Sequence, residues 1–203
     1  PYAREALGPF LRTRSDEPAV QTQIAAVRAE VGDPGLDLEG VIAILEEWIV
    51  QDRKATPLKA LQGHIWVNGY ETGAYTGHVY ADAVQALHAW KAAGLVLAVY
   101  SSGSVKAQKL LFGFSEAGDL SGLFSAHFDT TVGHKKEPTS YATIAKELGR
   151  EPAEVLFLSD VVAELDAART AGMATVQVVR TQDGTAPNTR GHTTVASLLE
   201  LHV

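Results

Sequence analysis

Three times in the second half of the chain, a helical pattern stops at a glycine and a short apolar, largely β-branched run follows it. Ala83, Val84, Leu87 and Trp90 share one stripe, Gly94 closes the stretch, and Leu95–Tyr100 reads as a strand apolar on both faces. Tyr141, Ile144, Ala145 and Leu148 form the next stripe behind Pro138, Gly149 ends it, and Val155–Leu158 follows. Leu165 and Ala168, Gly172, and Ala174–Val179 repeat the unit. A strand apolar on both faces must be covered on both faces, and helical connections between such strands make them parallel. The expectation is an α/β core over residues 78–203, a parallel sheet with helices on both faces.

Residues 1–77 have a different texture. Leu38, Val41, Ile42, Leu45, Trp48 and Ile49 recur at steps of three and four behind the turn signal Asp33-Pro34-Gly35. Thr56 reads as the N-cap of a further helix, with Pro57 in its first position and Leu58, Leu61 and Ile65 on one face. No stretch reads as a strand, so an all-helical module is expected. Three glycines within residues 69–77 suit a hinge better than a regular element. His64 and Trp66 would be tempting as substrate groups, but Trp66 reads as core packing within the module.

Composition narrows the function classes. With 17 basic against 24 acidic residues the net charge is −7, and the longest basic cluster is His134-Lys135-Lys136. That argues against a nucleic-acid or anionic-membrane binder, both of which require a basic face. There is no cysteine, hence no disulfide or thiol chemistry. No apolar run approaches the roughly 20 residues needed to cross a bilayer, and the opening residues lack an export pattern. A cytoplasmic, monomeric enzyme is the expectation.

In open parallel sheets ligands bind beyond the carboxyl ends of the strands. Ser101-Ser102-Gly103-Ser104 follows the first apolar run and leads into a helix, an arrangement that offers hydroxyls and free amides to a phosphate. A ligand-free serine cap would look the same. Lys135 follows the expected strand 126–130 and could meet a phosphate oxygen, or else could point into water with Lys136. Asp160 follows Val155–Leu158, with Glu164 four residues on; both are hard oxygen donors suited to Mg²⁺. Asp160 as an ordinary N-cap is the plainer alternative.

The order hydroxyl, lysine, acid resembles the second, third and fourth motifs of the haloacid dehalogenase superfamily. Longer strings, Val99–Gly113, His127–Thr130, Gly133–Lys135, Leu156–Asp160 and, in the helical half, Asp52–Trp66, resemble the enolase-phosphatases of methionine salvage. The resemblance implies a Mg²⁺-dependent reaction on 2,3-diketo-5-methylthiopentyl-1-phosphate, a small phosphorylated diketone. Enolisation and phosphate removal give 1,2-dihydroxy-3-keto-5-methylthiopentene. Ser101 and Ser102 would bind the phosphate end, Lys135 would neutralise the phosphoryl group, and Asp160 would hold Mg²⁺. Glu164 would orient the metal's waters, and the helical module would be the superfamily's substrate-selecting cap.

The family's first motif, a strand ending in a nucleophilic Asp-x-(Asp/Glu)-Gly-Thr, does not occur in the 203 residues. Phe128-Asp129-Thr130-Thr131 has its flavour, but its spacing to Lys135 reads as structural. Without that strand the sheet lacks its central member and two apolar edges go unpaired. The expectation is therefore that the sequence belongs to a longer chain with the motif upstream. The alternatives are a phosphatase of another phosphometabolite or a non-catalytic phosphate-binding protein.

Overall fold

The structure, a computed structural model, describes residues 2–188 and 190–202. The chain divides into two compact units, Pro1–Tyr75 and Thr76–Val203. Among the described residues no helix is long and apolar enough to cross a membrane.

The first unit is four helices: α1 (Tyr2–Arg14), α2 (Pro18–Val31), α3 (Leu38–Val50) and α4 (Thr56–Glu71). Asp37 caps α3 by accepting the Gly40 N–H at 2.8 Å. The expected stripe of α3 then buries Val41, Ile42, Leu45 and Trp48 against Leu58, Leu61 and Ile65 of α4 and against Leu7, Leu11, Val20, Ile24 and Val27 of the first two helices. Two details depart from the sequence reading. Thr56 is already helical, and the buried Ala55 is the N-cap, without a side-chain bond. Helix α4 also runs through the buried Gly69 and through Tyr70; Gly73, at φ 68°, and Gly77 lie outside helix and strand. Trp66 keeps 39% of its surface exposed, its ring edge-on to Tyr75, so it is not core packing.

The second unit alternates α5 (Ala81–Ala92), β1 (Ala98–Tyr100), α6 (Val105–Gly113), β2 (Ala126–Phe128), α7 (Pro138–Glu147), β3 (Leu156–Ser159), α8 (Val162–Thr170), β4 (Ala174–Val178) and β5 (Thr193–Val195). Every ladder is parallel. Val195 lies in β5 beside Val178, and Leu198–Glu200 make a short 3₁₀ turn. Tyr141 and Ala145 of α7 pack with Ala167 and Ala168 of α8 and with Met173 in a second core.

The parallel sheet comes in two pieces, β1-β2 and β3-β4-β5. Leu95–Tyr100 and Val155–Leu158 line a common cavity of about 700 Å³ together with Leu87, Trp90, Ile144 and Met173. This gap explains why the apolar runs are shorter and wetter than their composition suggests. Leu95–Leu97 form no ladder, Val96 is 45% exposed, and no residue of β3 is fully buried. An apolar strand edge without a neighbour has neither hydrogen-bond partners nor cover.

Candidate active site

The site is built on the loop between β2 and α7, and its anchor is Gly133. At φ 137° this residue occupies a backbone region that L side chains avoid, and a Cβ there would lie 2.2 Å from Ser140 Oγ. The turn it permits sets three consecutive carbonyls against three hydroxyl donors. Tyr100 O–H donates to the carbonyl of Gly133 (3.0 Å), Ser140 Oγ–H to that of His134 (2.8 Å), and Tyr141 O–H to that of Lys135 (2.6 Å). Burial raises the pKa of both phenols, and the nearby Glu164 charge raises it further, so both remain donors.

A backbone so pinned aims Lys135 inward. Its side chain is 20% exposed; its ammonium lies 2.7 Å from Glu164 Oε2 and 5.7 Å from the centre of the Tyr100 ring. Glu164, in the first turn of α8, is 10% exposed and also accepts Ser159 Oγ–H at 2.9 Å. Lys135, Glu164, Ser159 and Tyr100 thus form one cluster that joins the carboxyl ends of β1 and β3 to the loop after β2. Lys136 is exposed. A charge held half out of water by a carboxylate and a ring face is preorganised for an anion.

The serine loop is partly committed to itself. Ser101 N–H donates to the Phe128 carbonyl at 3.1 Å, and Ser101 Oγ accepts the Gly103 N–H at 3.1 Å. The first amide of α6, on Val105, goes to Asp129 Oδ2 at 3.1 Å, and Ser104 Oγ accepts from Ala107 N–H at 3.3 Å. The α6 terminus is therefore less open than the sequence pattern suggests. Among the described residues, none engages the amides of Ser102 and Ser104, and Ser102 is exposed. Asp129 has a structural part: Thr131 hydroxyl and amide, and the Val105 amide, hold its carboxyl below the usual carboxylate range.

Asp160 lies directly after β3, exposed, and before the N-cap Val161 rather than on α8; its carbonyl accepts from Gln177 at 3.3 Å. The four-residue step to Glu164 consequently does not place the two carboxylates on one helix face. Lys135 and Glu164 are brought together in the cluster, whereas no bond links Ser101, Ser102 or Asp160 to it. Among the described residues no three His, Asp or Glu side chains gather closely enough to hold a metal ion. Mg²⁺ requires near-octahedral oxygen ligation, so Asp160 fits only as one ligand of a set that these residues do not complete.

Sequence reasoning missed Tyr100, Tyr141 and Gln108. Tyr100 and Tyr141 carry a hydroxyl at positions the apolar stripe counts as core. Gln108 is the lone polar side chain on the inner face of α6, a signal that was available.

A model of the haloacid dehalogenase-like hydrolases matches residues 9–172. The enolase-phosphatase E1 of Pseudomonas aeruginosa strain UCBPP-PA14 is 59% identical over 203 residues, 100% of this chain and 88% of the relative. That of Azotobacter vinelandii is 57% identical, over 97% of this chain and 85% of the relative. Among solved structures, the UTR4 protein of Saccharomyces cerevisiae superposes with a TM-score of 0.83 at 33% identity, over 99% of this chain and 89% of that one. CbbY of Rhodobacter sphaeroides, solved with phosphate, shares the fold at a TM-score of 0.59 and 19% identity, over 91% and 89% of the two chains. A parallel sheet carrying a pinned lysine at its strand ends, matched by such relatives along its whole length, places the chain among the haloacid dehalogenase-like hydrolases, in their enolase-phosphatase branch.

Proposed function

We propose that the protein enolises 2,3-diketo-5-methylthiopentyl-1-phosphate and removes its phosphate, giving 1,2-dihydroxy-3-keto-5-methylthiopentene in methionine salvage. The observation that carries the phosphate half is the Lys135 ammonium, held by Glu164 and Tyr100 at the strand ends. The enolase half rests on the 59% identity to an enolase-phosphatase over the full chain. In phosphoryl transfer the protein mainly positions groups and cancels charge on the equatorial oxygens. Lys135 does the latter. Ser101 and Ser102, with the amides of the loop, take the phosphate oxygens, and Glu164 orients Lys135. Mg²⁺, when bound, supplies further charge neutralisation, with Asp160 as one of its ligands.

The cavity between β1 and β3 has the walls of a strand site: two unpaired edges and apolar side chains around them. We assign it to an extended apolar strand parallel to its neighbours, whose carboxyl end emerges near Ser101 and Asp160. The nucleophilic aspartate that these 203 residues lack would sit there. The helical unit serves as the substrate-selecting cap over residues 1–77, and residues 78–203 as the core.

The test is orthophosphate release from the diketo phosphate with Mg²⁺, by protein in which that strand is present, against a panel of other phosphate monoesters. Preference for the diketo phosphate and loss of turnover in Asp160→Asn are expected. Equal rates across the panel remove the enolase reading, and no release from any ester removes both.

A further inference from the structure

Gln108 is a polar side chain that the chemistry above leaves unused, 5% exposed at the inner face of α6. Its carboxamide reaches back over a full turn of the helix. Nε2 donates to the Gly103 carbonyl at 2.9 Å and to the Phe128 carbonyl at 2.7 Å, and Oε1 meets Nδ1 of His127 at 3.1 Å. The Phe128 carbonyl is the one that also accepts the Ser101 N–H. One side chain therefore ties the middle of the serine loop to the end of β2, at the point where the loop leaves β1.

The orientation of this amide follows from its partners. Two carbonyls face one end, so that end is the NH₂; turned over, it would set oxygen against two oxygens. Oε1 can then only accept, which makes His127 the donor and fixes its neutral tautomer with the proton on Nδ1. Burial, helped by the Lys109 charge, lowers the His127 pKa and keeps that neutral form. Phe112 and Phe124 stand around the imidazole at 6.5 and 5.7 Å between centroids and hold its plane.

We propose that Gln108 is the positioning residue of the phosphate loop: its two N–H groups hold Ser101–Ser104 in the conformation that binds phosphate, and His127 keeps the amide from turning over. This rests on the reading of that loop as the phosphate cradle. Loop carbonyls left without these donors would swing outward and carry the Ser102 and Ser104 amides with them.

Three variants test it, with inorganic orthophosphate as the probe in the full-length protein. Gln108→Asn, one methylene shorter, cannot reach both carbonyls, and Gln108→Glu turns a carboxylate toward them. Each should weaken orthophosphate binding at least tenfold, raise KM more than it lowers kcat, and shift the NMR amide signals of residues 101–104. His127→Phe keeps the aromatic packing and removes only the bond to Oε1; about a threefold weakening is expected, and this variant reports if the Gln108 replacements fail to fold. In the wild type, ¹⁵N NMR should show His127 protonated on Nδ1. Orthophosphate affinity within twofold of wild type in folded Gln108→Asn, or within 1.5-fold in His127→Phe, overturns the proposal, as does an Nε2 proton on His127. A wild-type protein that binds no orthophosphate overturns the cradle reading first, and the role of Gln108 with it.

Discussion

Asp82 offers a test of the frame that holds the core unit together. It sits in the first turn of α5, where the helix dipole favours a negative charge. Arg180 Nη2 donates to both its oxygens at 2.8 Å, and Ser197 Oγ–H and Leu198 N–H both donate to Oδ2 at 2.9 Å. Arg180 also donates to the Ala196 carbonyl and lies 4.3 Å over the Tyr80 ring, so α5, the end of β4 and the closing 3₁₀ turn share one knot. Burial works against the charged carboxylate, but the donors outweigh it and bring its pKa from 3.8 down to about 2. At about 1.4 kcal/mol per unit, that difference is worth about 2 kcal/mol of folding stability. The folded pKa lies below the unfolded one. The stabilisation is therefore fully present above pH 3.8 and lost as the pH falls toward 2. Asp82→Asn removes it and also leaves Arg180, 14% exposed, without its counter-charge. The expected loss at pH 7 is about 2–3 kcal/mol, or about 4–12 °C in Tm for a chain of this size. Urea unfolding of wild type and variant at pH 7, 4 and 2.5 should show the gap closing only between the last two. A gap under about 0.5 kcal/mol at pH 7, or an equal gap at all three, would refute the reasoning.

Three further outcomes concern the site. Lys135→Ala should lose substantially more than tenfold in phosphate release, through lost charge stabilisation in the transition state; a twofold loss would return Lys135 to a purely structural partner of Glu164. Glu164→Gln keeps the size and the Ser159 bond but gives up the charge that aims the ammonium, so kcat should fall by about tenfold, about 1.4 kcal/mol in the barrier, and unchanged kcat would free Lys135 from its need of Glu164. Gly133→Ala forces a Cβ against Ser140 at a positive φ; a stability loss of about 2 kcal/mol is expected, measured by thermal unfolding, and a stable variant of full activity would show that the loop tolerates another turn.

Much of this molecule was legible before any coordinates. Period and punctuation marked α3, α5, α7 and α8, because a buried helical stripe and a closing glycine are local requirements that the chain must write into itself: Gly94, Gly149 and Gly172 all take positive φ where the helices were read to stop. The strand ends were legible too, since an apolar run followed by Ser101, or by Ser159 and Asp160, announces where polar groups meet the end of a sheet. Tertiary structure alone decided which partner each polar group takes. Nothing local tells Glu164 to turn to Lys135 rather than toward Asp160, or tells Gln108 to reach Gly103 and Phe128, because those pairings depend on how separate strands stack side by side. The same holds for β1 and β3. Their sequences specify strands, but a strand is completed by a neighbour, and its length and dryness follow from whether that neighbour is in place.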